Sequence, residues 1–151
     1  MYKNRFRGFT LIELLVVIAI IGVLSAVVLA SLNTARNKGN DAAIQSDMAT
    51  IQTQAEIYYG GAGINTYGTQ LWSSGAATAC TGGVFSDGTI TKALGGADAV
   101  NGAGNVACVA NLTGYLAAAQ LTTSGWWCID HTGTGKLETG AWPSAVIATC
   151  P

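Results

Sequence analysis

The chain has 151 residues, 50% of them hydrophobic and 10% charged, with a formal net charge of -1. This length accommodates one domain of ordinary size. Nucleic-acid binding draws most of its affinity from basic side chains, and the seven Lys and Arg residues against eight Asp and Glu residues argue against a nucleic-acid-binding surface.

An apolar segment occupies residues 9–32, with Glu13 as its one ionisable group. As a helix it would be about 36 Å long, enough to cross a bilayer, and a secretory signal peptide has a shorter apolar core. A carboxylate in hydrocarbon costs about 3 kcal/mol, so Glu13 predicts a cationic partner. The preceding charges are all basic: Lys3, Arg5 and Arg7. They predict a cytoplasmic N-terminus, with residues 33–151 on the other side of the membrane.

The junction between the basic stretch and the apolar segment reads Gly8-Phe9-Thr10-Leu11-Ile12-Glu13. This run resembles the processing site of type IV prepilins and related pseudopilins, and the resemblance is close over residues 1–35. It implies that a prepilin peptidase removes residues 1–8 as a leader, cutting between Gly8 and Phe9 and methylating the new amine of Phe9. It also implies that Glu13 meets the terminal amine of a neighbouring subunit.

One departure from the family concerns the late part of the apolar segment, where many members carry a proline that helps the helix to melt inside the filament. This chain has no proline there. Glycine weakens a helix by about 1 kcal/mol and permits close approach of a neighbour. Any melted segment is therefore expected near Gly22, which we assign to assembly.

The helical pattern continues beyond residue 32. One apolar stripe at helical spacing is formed by Ile44, Met48, Ile51, Ala55 and Tyr58, and it predicts a helix to about residue 59. Residues 37–40 are poor helix formers, where a bend or fraying is expected. Gly60-Gly61 should end the helix.

Residues 60–107 carry many turn signals and predict a long loop with one short helix, capped by Ser86 or Asp87 and running through Leu94. Strand-like runs follow at 114–121, 126–130 and 136–139, with a fourth candidate at 146–149. The predicted class is α+β, a long N-terminal helix whose upper half packs on an antiparallel sheet of three to four strands. The pilin fold has this arrangement.

Four cysteines lie beyond the predicted span, where an oxidising compartment permits disulfides. No pair has the Cys-x-x-Cys spacing of a structural zinc site, so two bridges are expected and no metal. Three connectivities are open from the residues. We expect the sequential one, Cys80 with Cys108 and Cys128 with Cys150, whose short loops contribute about 3 to 4 kcal/mol each in the chain-entropy model. Similar pilins commonly close their C-terminal loop with a disulfide.

No catalytic constellation is visible, and we predict neither enzymatic activity nor a cofactor. His131 is interpreted as a solvated turn residue. Adjacent strand residues face opposite sides, so of Trp126 and Trp127 one should lie in the core and one outside. Asn111-Leu112-Thr113 matches an N-glycosylation acceptor, but so short a motif also arises by chance.

These observations predict a structural subunit of a type IV pilus-like filament, processed after Gly8 and polymerised through its N-terminal helix. The expected partners are other copies of the chain, a prepilin peptidase, the pilus assembly machinery and, before assembly, membrane lipid. The chain would cross the inner membrane once before assembly and lie in an extracellular filament afterwards. Alternatives are a type II secretion pseudopilin, a competence pilin, or an adhesive surface protein with an exposed Trp.

Overall fold

A long helix, α1, runs from Leu11 to Gly60 in the computed structural model, which describes residues 8–140 and 149–151. The chain forms two compact units, Met1–Arg36 and Asn37–Pro151. In the second unit, the buried residues of α1 are Asp41, Ile44, Met48, Ile51 and Ala55. The four apolar ones belong to the predicted stripe, which faces the core because its spacing places it on one side of the helix.

The expected fraying of residues 37–40 is wrong, since α1 continues through them without interruption. The single proton of the Thr122 hydroxyl is shared between the backbone carbonyl of Asn37, at 2.9 Å, and a carboxylate oxygen of Asp41, at 2.7 Å. Asp41, one turn later, is held by the same threonine. Tertiary hydrogen bonds thus stabilise a stretch whose intrinsic helix propensity is low.

A second helix, α2, spans Gly88–Val100, and the Asp87 carboxylate caps it by accepting from the N–H groups of Thr89 and Ile90 at 2.8 and 3.2 Å. The cap agrees with one of the two predicted residues, but the helix extends six residues beyond Leu94. A Cβ on Gly96 would lie 2.6 Å from a carboxylate oxygen of Asp47. Gly96 therefore allows close packing on Asp47 of α1, and the Gly95-Gly96 pair does not end the helix.

The described residues contain an antiparallel sheet of five strands in the order β1-β2-β3-β4-β5. The strands are Gln70–Gly75, Val106–Asn111, Gly114–Gln120, Trp126–Asp130 and Gly135–Glu138. The α+β class is confirmed, although the sheet is larger than the three to four strands predicted. Two short 3-10 helices, Ala77–Ala79 and Gly83–Ser86, lie between β1 and α2.

The prediction missed two strands: β1, which lies wholly within the predicted loop, and β2, of which only Val106 and Ala107 do. Five of the six β2 residues are buried, so it lacks the polar and apolar alternation of a half-exposed strand. β1 is an edge strand rich in Ser, with an irregular register between Gln70 and Ser73. The candidate strand at 146–149 lies outside the described residues except for Thr149, which is in a bend.

Both faces of the sheet contribute to buried clusters. On one face, Tyr115, Ala117 and Ile129 pack in the core that also contains the α1 stripe. On the other face, Val109, Leu116, Ala118 and Cys128 are buried, with Trp72 packed against them. The disulfide Cys80–Cys108 lies within the first cluster, and Cys128–Cys150 joins the second to the C-terminus.

Candidate functional site

The junction that was predicted to be cut lies immediately before α1. Gly8, Phe9 and Thr10 are exposed and have no regular secondary structure, and Phe9 is 80% exposed. A Cβ built on Gly8 would meet no described atom within 4 Å. Packing among the described residues therefore does not require a glycine at position 8. The peptide bond between Gly8 and Phe9 is exposed and sterically accessible.

Thr10 and Glu13 form a reciprocal cap at the start of α1. The Oε2 atom of Glu13 accepts hydrogen bonds from the backbone N–H and the hydroxyl of Thr10, both at 2.8 Å. The Glu13 N–H donates back to the Thr10 hydroxyl at 3.3 Å. This is a capping box, in which N-cap and N3 residues satisfy each other's otherwise free N–H groups.

Thr10 was missed as a site residue, although the spacing Thr-x-x-Glu before an apolar run is the sequence signature of this cap. The cap gives Glu13 a local structural role beside the predicted charge pair. Among the described residues Glu13 forms no ion pair, and the first basic residue after it is Arg36. Its Oε2 is occupied by Thr10, whereas the described residues offer no hydrogen bond to Oε1.

The first part of α1 presents a continuous apolar surface. Its most apolar 18-residue window has a mean hydropathy of 3.0 and no buried residue, and every residue from 11 to 32 is exposed. This apolar surface has a shallow recess of about 330 Å³, lined by Val16, Ala19, Ile20, Val23 and Leu24. A separate recess of about 370 Å³ lies on the polar part of α1, near Thr50.

Gly22 lies within this apolar surface, in continuous helix. A Cβ there would meet no described atom within 4 Å, so packing among the described residues does not explain the glycine. A notch in the helix surface admits close approach of another helix, as small residues do in membranes.

The two adjacent tryptophans were predicted to lie one in the core and one outside, but both are half-buried. Trp127 packs against the main core. Trp126 lines a recess of about 260 Å³ together with Ser74, Gly75, Gly104 and Val106. His131 is partly buried rather than solvated, because its ring lies against Gly114, where a Cβ would come within 2.7 Å of Nδ1. The described residues hold no cluster of three or more His, Cys, Asp or Glu side chains suited to a metal ion.

The fold is that of a pilin-like α+β protein. Its long N-terminal helix has an exposed apolar first part, and the second part of the same helix is buried against an antiparallel sheet that two disulfides stabilise. The family model of the prokaryotic N-terminal methylation motif matches residues 3–29. The chain thus carries this motif, and its N-terminal part is similar to those of type IV pilins and type II secretion pseudopilins.

Two relatives illustrate the similarity. The "Type II secretion system core protein G" of Dickeya chrysanthemi is 38% identical over 56 residues, which are 37% of this chain and 37% of that protein. The "Type IV wide pilus major component PilA4" of Thermus thermophilus is 44% identical over 52 residues, 34% of this chain and 40% of that protein. The chain thus matches less than half the length of either relative. No solved structure gives a significant match.

Proposed function

We propose that this protein is the structural subunit of a type IV pilus-like filament. The proposal rests on the fully exposed apolar part of α1, which begins at Leu11, two residues after Phe9. So large an apolar surface requires a non-aqueous environment. Membrane lipid provides it before assembly, and the same helix of neighbouring copies provides it in a filament.

Cleavage after Gly8 prepares the chain for assembly in this proposal. A prepilin peptidase removes residues 1–8 and methylates the amine of Phe9. Lys3, Arg5 and Arg7 leave with the leader, so no cationic side chain remains before Arg36. A new terminal amine is then the available cation for Glu13, because a buried carboxylate without a partner is strongly unfavourable.

The capping box makes an intermolecular charge pair compatible with an intact helix start. Thr10 uses only the Oε2 atom of Glu13. The amine of an incoming subunit can therefore bind Oε1 without breaking the cap. In this mechanism apolar burial provides the affinity between subunits, and the charge pair fixes their axial register.

The proposed topology places residues 33–151 outside the cytoplasm, with the C-terminal unit on the filament surface. The disulfides Cys80–Cys108 and Cys128–Cys150 support this location, because such bonds persist in oxidising compartments. Interaction with the membrane-bound assembly machinery belongs to the same proposal.

The similarity to the type II secretion protein favours one second candidate, a pseudopilus subunit. The two functions differ in whether long filaments form on the cell surface. The test is to shear filaments from cells that naturally produce this chain and to sequence the subunit. Long surface filaments built from a subunit that begins at Phe9 support the pilus function. A processed chain that stays with the cell envelope, with no surface filaments, supports the pseudopilus instead.

A further inference from the structure

The Asn111-Leu112-Thr113 sequence lies at the tip of the hairpin between β2 and β3. Asn111 pairs with Gly114, which leaves Leu112 and Thr113 as a two-residue loop. All three residues of the motif are exposed, and Leu112 is 60% exposed. A bulky hydrophilic group attached at this turn would extend into solvent, as attached glycans do.

The carboxamide of Asn111 has a defined orientation. Its Oδ1 atom accepts hydrogen bonds from the Thr113 N–H at 2.9 Å, the Thr113 hydroxyl at 3.0 Å and the Gly114 N–H at 2.8 Å. Backbone N–H groups can only donate, so these bonds identify which amide atom is the oxygen. The nitrogen Nδ2 therefore points away from the turn, and in the described residues it donates no hydrogen bond.

The anchors of the turn lie on its inner side. The Leu112 carbonyl accepts a hydrogen bond from the Tyr67 N–H at 3.4 Å, and the close approach of His131 requires glycine at position 114. These contacts involve neither Asn111 Nδ2 nor the Leu112 side chain. Modification of Nδ2 therefore leaves the anchors of the hairpin in place.

We propose that Asn111 is an N-glycosylation site, modified by a transferase that uses a lipid diphosphate-linked sugar. The nitrogen Nδ2 attacks the anomeric carbon of the sugar, and a C–N bond forms as the bond from that carbon to the phosphate oxygen breaks. The lipid diphosphate leaves, and Nδ2 loses one proton to a base of the transferase. Thr113 supplies the hydroxyl that the acceptor motif requires, held against the same carboxamide. This inference rests on the proposed function in one respect, the extracytoplasmic location of the hairpin.

The test is mass spectrometry of the full chain purified from cells that naturally produce it. We expect the proteolytic peptide containing Asn111 to be heavier by one or more sugar residues, with fragment ions that locate the sugar on Asn111. Asn111→Asp keeps an acceptor oxygen for Thr113 and Gly114, so it preserves the turn, but it removes the nitrogen and should abolish the modification. Thr113→Ser should retain the modification, and Thr113→Ala should lose it.

An unmodified Asn111 peptide, or a sugar located on Thr113 beside an unmodified Asn111, would overturn the proposal. The N-terminal peptide of the same sample tests the processing step of the proposed function separately. A chain that starts at methylated Phe9 with unmodified Asn111 contradicts only the glycosylation site. A glycosylated chain that retains residues 1–8 contradicts only the processing step.

Discussion

The carboxylate of Asp41 on α1 accepts hydrogen bonds from both the backbone N–H and the hydroxyl of Thr122, at 2.6 and 2.7 Å. Thr123 adds a third, through its hydroxyl. The loop between β3 and β4 is thereby attached to the helix at a buried carboxylate. This attachment lies directly after the poor helix formers at 37–40, where it holds the helix against the loop.

A pH dependence of stability follows from this attachment. Burial by itself would raise the pKa of Asp41, but the hydrogen bonds from Thr123 and Thr122 outweigh burial and lower the pKa. Because the folded pKa is below the unfolded value of about 4, the stabilisation is present above that value and is lost as the pH falls through the folded pKa. Asp41→Asn should lower the free energy of unfolding at neutral pH by about 1 to 3 kcal/mol. In acid the difference from wild type should shrink, as measured by denaturant unfolding in detergent.

Asp47 provides the matched control on the same helix. Burial raises the pKa of Asp47, so its charge opposes folding at neutral pH and Asp47→Asn should leave stability equal or slightly higher. Equal losses in the two variants would show that the Asp41 hydrogen bonds do not stabilise the fold.

Gly8→Val tests processing. The side chain has room among the described residues, so the variant should fold normally, yet a tight peptidase site would reject it. We expect uncut precursor in the membrane, detected by N-terminal sequencing. Gly39→Ala, also in open space, should be cut normally. Mature protein that begins at a residue other than Phe9 would contradict the proposed cleavage site.

Glu13→Val tests the charge pair. Valine suits lipid, so the variant should be processed normally but assemble poorly, measured as sheared filament per cell. This change also removes the capping box. Thr10→Ala is therefore the matched control, because it removes the hydroxyl of the cap but keeps the Glu13 carboxylate. We expect Thr10→Ala to assemble far better than Glu13→Val. Filaments of Glu13→Val with unchanged abundance and helical rise would reduce Glu13 to a capping residue.

The disulfides should differ in accessibility to reductant. Cys80 and Cys108 are buried in the main core, whereas Cys150 is partly exposed. Mild reduction followed by thiol labelling should therefore modify Cys128 and Cys150 first. Removal of the Cys80–Cys108 bond by a double Ser substitution should cost about 2 to 5 kcal/mol. Earlier labelling of Cys80 and Cys108 would show that burial does not control access in this unit.

The sequence was enough to predict the long helix and its two environments, because the apolar stretch after Gly8 and the stripe from Ile44 to Ala55 are local signals. It also contained the Thr10 cap, which a search for Thr-x-x-Glu would have found. The sequence also predicted β4, although Trp126 and Trp127 are both half-buried there.

Other features of the fold depend on contacts between residues that are far apart in the chain. β2 is buried on both faces and β1 gains its strand conformation by pairing with β2, so neither has the alternating pattern of an amphipathic strand. At Gly96 the missing side chain leaves room for Asp47 of α1, and the helix at residues 37–40 is tied to the β3–β4 loop because Thr122, distant in sequence, contacts Asn37 and Asp41. In each case contacts between residues far apart in the chain outweighed intrinsic propensities of about 1 kcal/mol or less.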